Sequence, residues 1–390
     1  MTTDVGTGRR QSCALAGLVT GLLCAGPTCA QHYFWNHQWI AGCDNRQICT
    51  AVTSMAAADE SATLRLEFRS GRSGTLRLRL PTAVEAAGTA KLQIDGRPWA
   101  LAVCPCDELE GQCGLGHWQA QLPPLEQVTR LLERGQSVMV LIDGDQRAQF
   151  SLLGASAILR LISRRQGDDQ QGPSLSPPVA PSRQAIVLDG RNRDLAIARA
   201  RSALAEDACA MAAETGPQAD QAWAVAPKRI LVKVGCWVAA DRSDAATWYL
   251  LDSAGGVETL RFAVPDGEGG MRWDEELVNA RFDPDSGWLE AFQWTRPQGD
   301  CGSFGRWRWD GGGFELDYFA SMHNCRGIPL AYWPVLWRGG NSGVDSGSFT
   351  DPADSKPSAS NCPGSSSSTA PRSQSAIPSP SPSRGRDRPR

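Results

Sequence analysis

The chain has 390 residues, enough for two domains of ordinary size, and 41% of them are hydrophobic, enough for real cores. Its formal net charge of -3 gives no overall basic bias, which excludes a molecule built as a whole to bind nucleic acid. Ten of the fourteen tryptophans lie between Trp223 and Trp337, so the C-terminal part is expected to have a core or surface chemistry of its own.

The first thirty residues have the pattern of a secretory signal peptide. Arg9-Arg10 form a positive segment, Cys13 to Ala25 an apolar run, and Thr28-Cys29-Ala30 a small-residue cleavage site. Cleavage near Ala30 predicts a periplasmic or secreted protein. No later stretch approaches twenty apolar residues, so we expect no transmembrane segment in the mature chain.

Residues 31–163 are predicted to form an antiparallel β-sandwich domain. Between residues 61 and 80, leucines alternate with charged residues, which predicts a β-hairpin with one buried and one solvated face. A second hairpin is predicted around Asp95-Gly96. Prolines at its start and a terminal glycine predict a short helix from Pro123 to Gly135, and two further strands follow.

Residues 164–185 are rich in Gln, Pro and Ser and are predicted to be a linker. Residues 186–338 are predicted to begin with helix between Asp194 and Met211 and to continue as a Trp-rich meander of antiparallel strands. The Ser/Pro-rich tail from 339 to 390 cannot bury a core and is predicted to be disordered. The expected fold class is therefore mainly β, with two sandwich-like antiparallel domains, a few short helices and disulfide staples.

Ten cysteines remain after the predicted cleavage, and an exported chain meets an oxidising compartment, so disulfides are expected. Their spacing suggests three local pairs: Cys43 with Cys49, Cys209 with Cys236, and Cys301 with Cys325. The pairing of the others stays open: Cys104, Cys106, Cys113 and Cys362. Within the loop from Cys43 to Cys49, Asp44 and Asn45 are interpreted as turn residues in preference to ligand-binding residues.

Several motifs resemble an exported proteobacterial family, the domain of unknown function 1176 family. The resemblance covers about residues 35 to 338, and its motifs are Cys43-Asp44-Asn45, Cys49-Thr50-Ala51, residues 277–284, Gly299-Asp300-Cys301-Gly302, Trp309-Asp310-Gly311 with Phe314, and Cys325-Arg326-Gly327. Residues 35 to 163 also resemble the invasion-associated locus B family, in an early cysteine, an Ile-Asp-Gly turn, a cysteine pair and a helix before two final strands. Neither resemblance implies a catalytic residue. The extra cysteine in Cys104-Pro-Cys106 and the long tail depart from the pattern.

An arginine-rich face is the main functional hint. Four of its arginines alternate with leucines on the first predicted hairpin and one lies in its turn: Arg65, Arg69, Arg72, Arg77 and Arg79. Guanidinium groups on one strand face could bind phosphates or carboxylates of an envelope polymer or an acidic partner. The alternative is a charged face that only keeps the domain soluble and its edge protected.

Two enzyme-like or metal-binding alternatives are open. Gly299-Asp300-Cys301-Gly302 is similar to the nucleophile turn of chymotrypsin-like proteases with cysteine in place of serine, against which stands a structural Cys301–Cys325 disulfide. A weaker alternative is a thiolate metal site, whose four ligands would be Cys104, Cys106, Cys113 and His117.

The predicted function is a non-enzymatic binding or structural module of the periplasm. It is expected to need no cofactor and to bind an envelope polymer or another exported protein, and the sequence gives no oligomeric state. Only four histidines and no compact acid/base cluster argue against an enzyme. Tryptophans at alternating strand positions could stack on sugar rings, but they are interpreted as core.

Overall fold

The computed structural model of the protein describes residues 32–55, 62–70, 72–80, 90–105, 117–167, 188–204, 220–238 and 243–339. In these residues the fold is mainly β, with antiparallel sheets and short helices, as predicted. The helices are α1 Leu125–Leu132, α2 Ala155–Gly167 and α3 Gly190–Ser202. The signal peptide, most of the linker and nearly all of the tail predicted from the sequence lie outside the described residues.

The strands before residue 152 are β1 His32–Asn36, β2 Trp39–Cys43, β3 Cys49–Met55, β4 Ala62–Phe68, β5 Ser73–Arg79, β6 Ala90–Ile94, β7 Arg97–Pro105, β8 His117–Pro124, β9 Ser137–Ile142 and β10 Asp145–Ser151. They form one sheet in the order β1-β2-β3-β4-β5-β8-β7-β6-β9-β10. Strand β7 pairs with β6 along most of its length and with β8 at its end, so it joins the two halves of the sheet.

The hydrophobic core of this N-terminal sheet follows from strand alternation. Leu64, Leu66 and Phe68 of β4 and Leu76 and Leu78 of β5 all point into it, as the leucine pattern predicts. Helices α1 and α2 cover the same core with their apolar faces. The predicted short helix is α1, and α2 continues to Gly167, three residues past the predicted start of the linker.

The opposite face of the β4–β5 hairpin is not solvated, so that prediction is wrong. Arg65, Glu67 and Arg77 are only 2%, 5% and 8% exposed. The C-terminal segment covers this face, and Arg65 Nη1 donates to the carbonyl of Ala331 at 3.5 Å. Alternation within a hairpin separates two faces, but it does not reveal which one a distant segment covers.

The strands after residue 220 are β11 Gln221–Ala226, β12 Arg229–Val238, β13 Asp244–Asp252, β14 Val257–Thr259, β15 Phe262–Pro265, β16 Met271–Asp274, β17 Glu276–Val278, β18 Arg281–Asp283, β19 Trp288–Trp294, β20 Gly302–Trp309, β21 Phe314–Met322 and β22 Val335–Arg338. Strands β11 to β14 form one antiparallel sheet, with β17 also on β13. Strands β15 and β16 form a hairpin, and β18 to β22 form a five-stranded meander. Leu260 and Arg261 separate β14 from β15.

Some of the tryptophans at alternating strand positions lie in a second hydrophobic core, which confirms for them the interpretation as core residues. Trp307, Trp309 and Trp333 are each 1% exposed and belong to one apolar cluster of the C-terminal strands. Tyr33, Ile40 and Val52 from β1 to β3 join the same cluster, so the N-terminal sheet forms one wall of the second core. None of the helices in the described ranges has the length and apolarity needed to cross a membrane.

Candidate functional site

The Cys43–Cys49 loop binds the end of the last strand, and we call this contact the clasp. The disulfide predicted from the spacing is present. The side-chain amide of Asn45 pairs with the backbone of Arg338: Nδ2 donates to its carbonyl at 3.1 Å, and Oδ1 accepts from its N–H at 2.9 Å. The guanidinium of Arg46 donates to the carbonyl of Gly339. Asn45 and Arg46 therefore bind the chain about 290 positions further on, which spacing alone does not show.

Two carboxylates and two guanidinium groups are buried beneath this clasp. Arg338 is 1% exposed and its Nη1 lies 2.5 Å from Asp44 Oδ2, with Nη2 3.4 Å from Glu67 Oε2. Arg65 Nη2 lies 2.8 Å from the same Glu67 oxygen. The opposite charges compensate one another, so Arg65 holds the two halves of the molecule together and does not face an external anion.

The buried carboxyl of Asp44 leads to a pH-dependent prediction. Burial raises the pKa of Asp44 from 3.8 to about 6, although the charge of Arg338 and hydrogen bonds from the N–H groups of Ile48 and Arg46 lower it. Between these two values the folded state binds the proton more tightly than the unfolded chain. We therefore expect the contribution of Asp44 to the free energy of unfolding to fall by about 3 kcal/mol as pH rises from below 3.8 to above 6.

A ¹³C NMR titration of the Asp44 carboxyl carbon would measure its pKa directly. Chemical unfolding of the native protein and of Asp44→Asn at several pH values would give the linked stability, because the asparagine variant lacks this titration. A carboxyl midpoint below pH 4 would contradict the prediction.

A basic cleft lies where the β4–β5 turn meets α1 and α2. It consists of two adjoining cavities of about 460 Å³ each, which share Glu126, Arg130 and Ser163. Its cationic lining comes from three separate elements: Arg69, Arg72, Arg130, Arg160 and Arg164. Among the described lining residues, Glu126 is the one carboxylate. Two of the five arginines predicted to bind anions, Arg69 and Arg72, thus lie in this cleft.

Helix geometry explains why the cleft is basic. Arg160 and Arg164 are four residues apart on α2, so they share a face, and α1 packs against that helix. Arg160 Nε lies 2.8 Å from Glu133 Oε1, and both side chains are partly exposed. Arg130 Nε donates to the carbonyl of Glu126 on its own helix at 3.3 Å. Arg72, Arg130 and Arg164 are exposed, and their positive charge favours binding of an anion.

A polar pocket of about 430 Å³ lies in the C-terminal half. Its floor is formed by polar residues on neighbouring strands of the meander: Gln293 of β19 pairs with Ser303 of β20, which pairs with Ser321 of β21. Side chains directly opposite one another across strands share a face. His323, two positions after Ser321, and Arg272 of β16 also line the pocket.

The turn of the β15–β16 hairpin forms one wall of the polar pocket. Tyr33 of β1 donates its N–H to the carbonyl of Gly267 at 3.0 Å, which fixes the turn to the N-terminal sheet. A hydrogen bond from the N–H of Glu268 holds the pKa of Asp266 below its usual range, with a second from Gly270.

His323 lies beside the same turn, and its ring is 4.3 Å from that of Tyr33. Partial burial of its ring, with the nearby charge of Arg272, lowers the pKa of His323. The imidazole is therefore neutral at pH 7 and can both donate and accept hydrogen bonds.

The sequence reasoning missed these pocket residues. The available signal was a polar residue at the end of each apolar strand pattern, at Gln293, Ser303 and Ser321. That signal becomes specific only once the register of the three strands is known.

The thiol-hydrolase alternative is wrong. Cys301 forms the predicted disulfide with Cys325 and is completely buried, so it has no thiol to act as a nucleophile. The neighbouring Asp300 accepts from Arg296 Nε at 2.6 Å and from the N–H of Gly327 at 2.5 Å. Asp300, Cys301 and Cys325 do bring three potential ligand atoms within 4.8 Å, but the sulfurs are bonded to each other and the carboxylate to arginine. This group is a structural staple.

The other cysteine predictions fall mostly on residues that the structure does not describe. Cys236 is disulfide-bonded, and its predicted partner Cys209 lies outside the described residues. Cys106, Cys113 and Cys362 also lie outside them, as does the side chain of Cys104. His117 begins β8 and its ring lies 6.0 Å from that of Tyr332. The metal site at Cys104, Cys106, Cys113 and His117 stays a prediction.

The remaining members of the predicted anion-binding set, Arg77 and Arg79, lie on β5 beside Tyr332. Arg77 is 8% exposed, and the charges of both lower the pKa of the Tyr332 hydroxyl, although burial raises it more. They belong with Arg65 to the face that the C-terminal segment covers. The predicted set is therefore divided between a buried interface and the basic cleft.

Comparison with known proteins agrees with the resemblance in the motifs. The chain is 26% identical over 355 residues to the uncharacterized protein YpfG of Escherichia coli (strain K12), covering 82% of this chain and 95% of that protein. The crystal structure of invasion associated protein B from Bartonella henselae aligns with 35% of this chain and 99% of its own, at 12% identity. Its TM-score of 0.29 is below the level that indicates a shared fold. The model of the family described as protein of unknown function (DUF1176) matches residues 33–339, from the first strand to the clasp on Gly339, and the chain belongs to this family.

Proposed function

We propose that the protein is an exported, non-catalytic binding protein of the bacterial envelope, and that its basic cleft binds an anionic envelope polymer. The carrying observation is the set of five arginines around two adjoining cavities with one carboxylate among the described lining residues. The disulfides Cys43–Cys49 and Cys301–Cys325 are typical of an oxidising compartment outside the cytoplasm. The signal-peptide pattern of the first thirty residues supports the periplasm.

The chemistry of the cleft suits phosphate or carboxylate groups on a flexible chain. A guanidinium group binds such anions through two parallel N–H···O bonds. Ser163 adds an exposed neutral hydroxyl group to the lining. The arginines come from the β4–β5 turn, α1 and α2, so successive anionic groups of one polymer could each meet a different element. The disulfide at Cys301 supports a non-catalytic role, since it removes the nucleophile that the sequence suggested.

Charge reversal at the cleft should weaken binding of an anionic polymer. We expect Arg130→Glu with Arg164→Glu to lower the affinity for lipopolysaccharide micelles at least about 30-fold, because each basic residue near an anionic surface contributes about 1 kcal/mol. Both side chains are exposed, so the fold should tolerate the change. Fluorescence-detected titration with the micelles at two salt concentrations is the measurement, and the affinity of the native protein should fall as salt rises.

The matched control reverses two exposed arginines elsewhere, Arg97→Glu with Arg191→Glu, and gives the same net charge. If both double variants lose the same affinity, net charge alone explains binding and the cleft has no special role. If the native protein does not bind the micelles in a salt-dependent way, the proposal fails.

A further inference from the structure

The polar pocket interrupts an otherwise apolar sheet face. At one end of β19 and β20 this face is apolar, and Leu289 lies opposite Trp307 there. Strand β15 covers that part: the ring of Phe262 lies 5.7 Å from that of Trp307, whose Nε1 donates to the carbonyl of Ala263 at 3.0 Å. Four residues further along β19 the same face is polar and forms the pocket. The hairpin therefore covers the apolar end and leaves the polar end open.

The open end presents groups that both donate and accept hydrogen bonds. Gln293, Ser303 and Ser321 form a row across three strands, and neutral His323 continues it along the chain. Ser321 is 2% exposed, and its hydroxyl donates to the carbonyl of Gly302 at 3.2 Å, which leaves its oxygen lone pairs able to accept. Hydroxyl, amide and neutral imidazole groups match a ligand whose own groups donate and accept, as hydroxyl groups do.

The charges around the pocket compensate locally. Asp266 Oδ1 accepts two N–H groups of its own turn, at 2.8 and 2.9 Å. Arg272 Nη1 lies 3.0 Å from Asp274 Oδ1. An anion would have to compete with Asp274 for Arg272 and would approach the carboxylate of Asp266, whereas a neutral ligand meets neither cost.

We propose that the polar pocket binds a neutral saccharide, with Gln293, Ser303 and Ser321 hydrogen-bonding its hydroxyl groups. Its volume of about 430 Å³ falls within the range of small-molecule sites, roughly 300 to 1,000 Å³. The polar pocket is separate from the basic cleft. The two sites have different lining residues, and one suits a neutral ligand whereas the other suits an anion. This inference therefore stands or falls independently of the proposed function.

NMR titration of the full mature chain with N,N′-diacetylchitobiose and with maltose tests the proposal. We expect at least one of these neutral saccharides to shift the side-chain amide signal of Gln293 and the ring signals of His323 in a saturable way. Gln293→Leu should weaken binding about 10-fold, because a sugar hydroxyl loses its partner while the side-chain volume is kept. Ser303→Ala should have an effect of similar size, and Arg130→Glu with Arg164→Glu should leave saccharide binding unchanged.

The matched control is Gln221→Leu, an equally conservative change at an exposed glutamine of β11 outside the pocket. Gln293 is itself exposed, so its replacement should leave the fold intact, which the backbone spectrum would confirm. The proposal is overturned if neither saccharide shifts these signals or if Gln293→Leu and Gln221→Leu bind equally well. It is also overturned if inorganic phosphate produces the same shifts at lower concentration, because the pocket would then be an anion site centred on Arg272.

Discussion

Replacement of Arg338 by methionine should lower the free energy of unfolding by about 3 kcal/mol or more, because it removes one partner of a buried ion pair and leaves the Asp44 carboxylate without its compensating charge. Arg338 is 1% exposed and contacts both Asp44 and Glu67. It also ends the last strand, where Asn45 pairs with its backbone. The loss should therefore reach both halves of the molecule, and one cooperative transition should shift. Chemical denaturation at pH 8, where Asp44 is ionised, measures it.

Two further variants separate the charge effect from the loss of side-chain packing. Arg281→Met removes an exposed arginine of β18 and should change stability by less than about 0.5 kcal/mol. Asp44→Asn combined with Arg338→Met removes both charges while the amide oxygen can still accept the N–H groups of Arg46 and Ile48. The double variant should recover part of the loss, and the coupling energy between the two sites gives the strength of the pair. Equal losses in the single and double variants would mean that the ion pair is not what stabilises the interface.

Local sequence patterns predicted the elements of the fold well. The alternation of Leu64, Leu66 and Phe68 with charged residues identified a hairpin and the side of it that forms the core. Pro124 before α1 and Gly135 after it marked the short helix. Such signals succeed because strand and helix periods depend on neighbours in the chain. The Cys43–Cys49 and Cys301–Cys325 pairs were predictable for the same reason, since each closes a short loop.

Contacts between distant segments could not be predicted in this way. The charged face of β4 and β5 has the pattern of a solvated surface, yet Arg65 and Glu67 are buried because Arg338 supplies the compensating contact from the other end of the chain. A single residue at position 338 gives no local sign of that role. The same limit explains the basic cleft, whose arginines come from a hairpin turn and two helices that only the fold brings together.

Gly302→Ala should cost about 2 to 5 kcal/mol, the sum of an unfavourable backbone conformation, about 1 to 2 kcal/mol, and a steric clash, about 1 to 3 kcal/mol. Gly302 has a φ of 140°, a conformation that residues with a Cβ rarely adopt. An added Cβ would lie 1.9 Å from the carbonyl oxygen of Gln293 and 2.8 Å from the Cα of Trp294. Both are backbone atoms of β19, so the strand itself would have to move. The glycine beside Cys301, which could suggest an oxyanion hole, is thus required by the close approach of β19 and β20.

Gly311→Ala is the matched control, since Gly311 also has a positive φ, 107°, but an added Cβ there has no atom within 4 Å. It should cost only the backbone part, about 1 to 2 kcal/mol. The difference between the two variants, measured by chemical denaturation, isolates the clash with β19. Because that strand carries Gln293, we also expect Gly302→Ala to displace the side-chain amide signal of Gln293, whereas Gly311→Ala should leave it in place. An equal loss in the free energy of unfolding for the two variants would show that β19 can move away from the added Cβ. The spacing of β19 and β20 would then not depend on this glycine.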